Sequence, residues 1–306
     1  MRVVVLGAAA GGGFPQWNSN APGCRRARAK DPKARARTQA SVAVSADSKH
    51  WFLLNASPDL RAQIEANPPL QPQEGLRSSP IAGVVLSNGD VDAIAGLLHL
   101  RERQPFTIYS TGRILAILAA NPIFEVLAHD VVKRQVVPLN TSWPLLLPSG
   151  KAAGLSIELF PTLGKVPLYL ETADQAPALV EGEDTVGVAV SDGSHTFYFV
   201  PSCAGMTASL RARLAGAELV FFDGTLWTDD EMIRAGIGSK TGLRMGHMSI
   251  SGPDGTMAAF SSLGVRKKVL IHINNSNPVL LDDSPEREIA EAAGWTVAYD
   301  GMEVTL

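Results

Sequence analysis

The 306-residue chain has two cysteines, Cys24 and Cys203, too few for a disulfide framework and consistent with a reducing, cytoplasmic setting. No run approaches the roughly 18 consecutive apolar residues of a membrane-spanning helix, and no basic-then-apolar leader precedes the first predicted strand. Basic residues are in deficit, with 27 Lys and Arg against 30 Asp and Glu and a net charge of −3 at pH 7. A dedicated nucleic-acid binder neutralises phosphates with a basic surplus, so nucleic acid is not expected as a partner beyond a local basic patch. Internal short-period repeats and low-complexity tails are absent as well.

What remains is 45% hydrophobic residues, enough to fill a substantial core. Runs rich in β-branched and aromatic residues predict strands at 2–6, 40–45, 51–54, 83–86, 106–109, 155–161, 186–190, 196–200, 219–222, 268–271 and 295–299. Apolar residues at 3–4 spacing predict helices at 58–66, 92–103, 113–120, 208–214, 255–263 and 286–293. Residues 71–80 and 173–184 read as surface loops. Mixed strands and helices without a long linker define a layered α/β architecture.

Polar residues follow several predicted strands, where such folds build their sites. The stretch VVLSNGDVDAIAGLL, residues 84–98, passes from an apolar strand through a loop holding Asp90 and Asp92 into an apolar helix. Ser202 and Cys203 follow a second strand, Asp223 a third, and His272 with Asn274, Asn275 and Asn277 a fourth. Turns favour acidic and amide residues for local reasons, so one such segment means little. Four separated strand ends are how a metal site is commonly assembled.

The ordered strings LGAAAGGGFPQWN, LLNASPDLR, LSNGDVDA, GKVPLYLE, FFDGTLW, RMGHMSI and LIHINNSNP resemble the pyrroloquinoline quinone (PQQ) biosynthesis protein B family, a branch of the metallo-β-lactamase superfamily. The resemblance runs through essentially the whole chain. It implies an αββα sandwich, a single domain over 1–306, with its site on the rim between two sheets.

Two departures follow from that resemblance. The superfamily's hydrolase pattern is His-x-His-x-Asp-His, whereas this loop reads Asn88-Gly89-Asp90-Val91-Asp92-Ala93. A di-zinc hydrolase needs imidazoles to hold its ions and lower the pKa of a bridging water, so hydrolysis is not expected. Asn88 and Asp90 are typical of the quinone-biosynthesis family, but a histidine usually stands where this chain has Ala93. With that histidine the site resembles a two-histidine, one-carboxylate Fe(II) centre with open positions for dioxygen. Here Asp92 and His272 are the expected ligands of Fe(II), or of zinc in the same place. Asp90 is an oxygen ligand or catalytic group, His247 a base, and Asp223 a support behind the ligands. One imidazole fewer predicts weaker metal binding. His99 lies two helical turns from Asp92, about 10 Å, too far to substitute. The family also carries Cys-x-Cys-x-x-Cys after its Trp-Asn pair, where this chain has Ser19, Ala21 and Cys24. No structural zinc is expected, and Cys24 reads as a free thiol.

The run CRRARAKDPKARARTQ puts seven Lys or Arg between Arg25 and Arg37 against Asp31 alone. It reads either as a solvated loop or helix or as a flap attracting an anion. The family's ligands derive from a cross-linked Glu-Tyr precursor and end as a quinone with three carboxylates, groups that arginine binds through paired donors. Arg37, Lys165, Asn88, Ser202 and Asn274 are the expected substrate contacts. Gly11 to Gly13 either cradle an anion or let the chain pass close under the site. Trp17 and Trp227 line the pocket or seal a core. His50, His129 and His195 fall in predicted surface turns or helix ends and are given no role. The resemblance implies oxygen-dependent hydroxylation of the precursor's tyrosine-derived ring. The alternative is a carrier of PQQ or its precursor linked to transport. Other PQQ-biosynthesis proteins are the expected protein partners.

Overall fold

The computed structural model describes residues 1–172 and 178–306. Among these residues fourteen strands follow in chain order. The first six are β1 (Arg2–Gly7), β2 (Ser41–Ser45), β3 (Trp51–Leu54), β4 (Ile81–Val85), β5 (Phe106–Ser110) and β6 (Val132–Val136). Then come β7 (Ser142–Leu146), β8 (Ala152–Gly164), β9 (Val180–Ser191), β10 (Thr196–Val200), β11 (Leu219–Asp223), β12 (Lys267–Ile271), β13 (Trp295–Val297) and β14 (Glu303–Thr305). They form two seven-stranded sheets, β14-β1-β2-β3-β4-β5-β6 and β13-β12-β11-β10-β9-β8-β7. β1 to β3 pair antiparallel, and β3 to β6 parallel. In the second sheet β7 to β10 pair antiparallel, and β10 to β13 parallel. The metallo-β-lactamase architecture implied by the resemblance is the one present.

The central parallel strands β3, β4 and β11 are buried along their whole length, which explains their nearly continuous apolar sequences. In β11, LVFFD, all five residues are buried. Phe221 belongs to the large core shared with Val5, Leu53, Ile108, Val188 and Phe199, while Phe222 belongs to a second core. That second core holds Leu210, Phe260 and Ala290 from helices Ala208–Leu214, Thr256–Phe260 and Pro285–Ala292. Phe260 meets Phe222 and Trp295 edge to face, with ring centroids 4.8 and 4.9 Å apart. Leu60, Ile114 and Leu118, from helices Leu60–Ala66 and Gly112–Ala120, join the large core.

Three strands escaped the sequence reading: β6 (VKRQV), β7 (SWPLL) and β14. β6, β7 and β14 lie in terminal positions of their sheets, where charge and proline are tolerated. The predicted helix at 92–103 is instead a short α-helix, Val91–Ile94, followed by a 3-10 segment, Ala95–Leu100. Gly96 donates its N–H to the Ala56 carbonyl, and a Cβ there would stand 2.1 Å from the Ser57 carbonyl oxygen. That close backbone approach holds the segment in place. The loop predicted at 173–184 is corrected at its far end, because β9 begins at Val180; 173–177 lie outside the described residues. No helix among the described residues is long and apolar enough to cross a membrane.

Candidate metal centre and cavity

The C-terminal ends of β4, β11 and β12 release their loops onto one rim. The rim is tied across the sheets where Ala10 N–H donates to the Ile273 carbonyl and Ile273 N–H to that of Ala8. The β4 loop is braced by Asn55, whose amide exchanges hydrogen bonds with Ser87. Asn88 Oδ1 accepts from Asp90 N–H at 3.0 Å, and Asp90 Oδ1 accepts from Leu168 N–H at 3.1 Å. Asp92 then reaches the second sheet, its Oδ2 lying 2.8 Å from His272 Nε2.

Thr225 is the hub below. Its hydroxyl donates to Asp223 Oδ1 at 2.6 Å and lies 2.9 Å from His272 Nδ1 and 3.1 Å from His247 Nδ1. Asp223 is fully buried; its Oδ2 accepts from Cys203 N–H and sits 2.6 Å from His247 Nδ1. The two imidazoles stack at 5.2 Å with 24° between planes. His272 adopts φ +59°, a left-handed conformation uncommon outside glycine and found at functional sites. Asp223, His247 and His272 each offer a ligand atom within 4.8 Å of the others.

Burial works against a charged His272, but the hydrogen bond and charge of Asp92 outweigh it and raise its pKa above the ordinary value. Asp92 is opposed by burial in the same way and is held below the usual carboxylate range by His272. Asp90 goes the other way, pushed up by burial and by the Asp92 charge.

These groups open into a cavity of about 500 Å³. Asn88, Asp90, Asp92, Lys165, Ser202, His247, His272 and Asn274 all line it, so the structure brings together every residue expected on its surface except Arg37. Arg37 is a correction. It is 3% exposed, and its guanidinium donates to the carbonyls of Ala298, Arg35 and Leu280. Other cations of the basic run are also engaged, Arg26 with Asp31 and Asp283, and Arg28 with the carbonyls of Gln16 and Ser19. The run forms a helix only over Pro22–Arg28. Ala93 is buried in the large core and does not line the cavity. Gly11 lines it, and Gly12 N–H donates to Gln39 Oε1.

Cys24 is buried with Sγ 3.5 Å from Asn275 Oδ1, and burial pushes the Cys203 thiol up to about 12. Trp17 is 85% exposed, while Trp227 packs against the second core. His50, His129 and His195 pair with surface carboxylates, and His99 contacts the Pro58 carbonyl. Sequence reasoning missed Thr225, Gln16, Met232, Lys240 and Met245, which also line the cavity. For Thr225 the only available signal was its place just after a strand ending in aspartate.

Two facing sheets with acidic and histidine side chains on their shared rim define a metallo-β-lactamase-type protein, and the model of the β-lactamase superfamily domain matches residues 50–273. Closer relatives narrow this. The chain is 63% identical over 303 residues to coenzyme PQQ synthesis protein B of Gluconacetobacter diazotrophicus, covering 99% of each, and 53% identical to that of Methylorubrum populi over the full length of both. The crystal structure of zinc-bound PqqB from Methylobacterium extorquens superposes with a TM-score of 0.96 at 52% identity, covering all of both chains. The chain belongs to the coenzyme PQQ synthesis protein B family. A diphosphatase of the PhnP family, with a TM-score of 0.68 at 18% identity over 100% of this chain and 97% of that one, shares the fold.

Proposed function

We propose that the chain acts in coenzyme PQQ synthesis as a metal-dependent oxygenase, adding oxygen to the tyrosine-derived ring of a cross-linked Glu-Tyr precursor. The observation that carries this reading is the orientation of the two imidazoles. Nδ1 of His247 is held by Asp223 and Nδ1 of His272 by Thr225, which leaves Nε2 of each free of those supports, that of His272 lying 2.8 Å from Asp92. A carboxylate or hydroxyl behind a ring nitrogen is the support a metal-bound imidazole requires. Two imidazoles and one carboxylate suit Fe(II) or zinc. His247 thereby supplies an imidazole that the sequence withholds at Ala93, and it serves as a ligand in preference to a base.

Bound Fe(II) would supply activation of dioxygen. The protein's own groups do the rest. Asp223 and Thr225 fix both rings, Asn88 orients the loop carrying Asp90, and Asp90, with its raised pKa, accepts the phenol proton better than an ordinary carboxylate. Lys165, Ser202 and Asn274 contact the substrate from the walls. The zinc-bound relative supports metal binding in this fold and leaves the choice between iron and zinc to the experiment. The test is anaerobic loading with Fe(II), addition of the ring precursor, then oxygen and mass analysis. Precursor gaining an oxygen atom, and failing to do so in His247→Ala, His272→Ala or Asp92→Ala, supports the reading. Binding of iron and precursor without oxygen addition sinks it.

A second reading, a carrier of PQQ or its precursor, draws on the lysines of the cavity wall, which hold an anion without a metal. Its ligand affinity would survive those three substitutions.

A further inference from the structure

We propose that Lys165 and Lys240 in the cavity wall, with Arg244 beside them on the shared Glu171, form a carboxylate-binding subsite selective for a substrate bearing several carboxylates. Two loops face one another there, the segment after β8 carrying Lys165 and Glu171, and the segment 238–246 carrying Lys240 and Arg244. Glu171, whose side chain is 8% exposed, lies between them. Its Oε1 is 2.9 Å from Lys165 Nζ, and its Oε2 is 3.0 Å from Arg244 Nη2 and 3.7 Å from Lys240 Nζ. Three cations therefore converge on one carboxylate, a local charge of +2 among these four groups.

Among the described residues Glu171 is the only carboxylate in ion-pair contact with the three cations. Asp229 accepts the N–H groups of Gly242 and Leu243 through its carbonyl and carboxylate, and Asp230 pairs with Arg234. Lys165 and Lys240 both line the cavity that also holds Asp90, Asp92 and His272. The cavity wall thus carries, besides its acids and imidazoles, lysines from a cation cluster that Glu171 only partly neutralises. An anionic ligand anchored on the cations would place its uncharged remainder over the imidazoles.

The local backbone serves this arrangement. Gly246 ends the short helix Gly242–Met245 at φ +94°, and a Cβ there would lie 3.4 Å from Lys165 Cγ. A glycine thus satisfies the left-handed turn and leaves room for the lysine stem. The arginines that the sequence offered for this task are spent elsewhere, Arg37 on carbonyls and Arg26 on two aspartates.

The inference rests on the proposed role in PQQ synthesis, and its test needs neither metal nor oxygen, so the two can fail separately. The full-length protein is stripped of metal and titrated with PQQ and with its uncharged trimethyl ester. Lys240→Met and Arg244→Met should each weaken PQQ binding about tenfold or more, the loss expected for a charge-assisted hydrogen bond. Lys240→Arg should restore most of it. The ester should bind every variant alike, and the advantage of PQQ over the ester should shrink at high salt. Lys240 is 38% exposed, so its replacement tests the subsite even if the arginine variant fails to fold. Unchanged PQQ affinity in Lys240→Met, or equal binding of PQQ and ester by the parent protein, overturns the proposal.

Discussion

His272 Nε2 stands 2.8 Å from Asp92 Oδ2, a contact between residues 180 apart in sequence that joins the loop ends of the two sheets. It makes the site part of the fold's stability as well as of its chemistry. Each partner favours the charged form of the other against the cost of burial.

Breaking this pair should destabilise the metal-free protein. Removing one member of a buried pair leaves the other charge unpaired, which costs about 3 kcal/mol or more. Asp92→Ala and His272→Ala should each lose about that much in denaturant unfolding, and the double variant less than their sum. The pH dependence follows from the directions of the two shifts. Asp92, depressed from 3.8, contributes stability above that pH and loses it as pH falls through its folded value. His272, raised from 6.5, contributes below that pH and loses it as pH rises through its folded value. The parent protein should therefore gain most from the pair between about pH 4 and 6.5, and a cycle showing no such window would refute the account.

The strands and the strand-end residues were legible because both signals are local. Buried parallel strands such as β11 read as unbroken apolar runs, and Asp90, Asp92, His247 and His272 stand where loops leave strands or in strings shared with a family. The misreadings share a different cause. β6 and β7 are stabilised by pairing with a neighbour at the margin of a sheet. The helix expected at 92–103 gives way to a backbone approach at Gly96 that only the packed structure reveals. Arg37 resembled its exposed neighbours in a basic run, yet its partners are carbonyls at 280 and 298. Thr225, Lys240 and Arg244 acquire meaning only through residues far away in sequence.

Arg37 should matter to folding and not to ligand recognition. Its buried guanidinium satisfies carbonyls on three segments, and burial with the nearby Arg287 lowers its pKa to about 10. Lysine cannot reproduce that fork of donors. Arg37→Lys should cost about 2 kcal/mol and Arg37→Ala about 3 kcal/mol or more in unfolding experiments, while the folded fraction binds PQQ as before. Loss of PQQ affinity without loss of stability would return Arg37 to the substrate contacts.

Asp300 provides an opposite pH signature. Burial raises its carboxyl to about 6 despite hydrogen bonds from Thr38 N–H and Oγ1 and the charge of Arg37. Because the folded state favours the proton, the group's stabilising contribution is full below its unfolded value of 3.8 and is lost as pH rises through about 6. The change is on the order of 3 kcal/mol. Asp300→Asn keeps an acceptor for Thr38 and removes the titration, so stability measured from pH 4 to 7 should fall less steeply than in the parent. Parallel profiles would rule this group out as a source of the slope.

Ala93→His separates the two ways in which the site can obtain its imidazoles. Residue 93 is 3% exposed within the large core, and its N–H and carbonyl are bonded to Asp90 and Ala56. A larger side chain there overpacks the core, costing about 1–3 kcal/mol, and its thermal midpoint should drop in the absence of metal. If His247 and His272 already hold the ion with Asp92, the parent protein should bind one equivalent of Fe(II) or zinc. His247→Ala should then lower that affinity about tenfold or more. Ala93→His should tighten metal binding and recover part of its lost midpoint when metal is present, since a ligand that binds only the folded state stabilises it. The decisive comparison is metal titration of His247→Ala with and without Ala93→His. Restored affinity in the double variant means the two histidines can substitute for one another around a common ion. A parent protein that binds no metal until Ala93→His is introduced would show instead that His247 is not a ligand, and would leave it as the base beside Asp223.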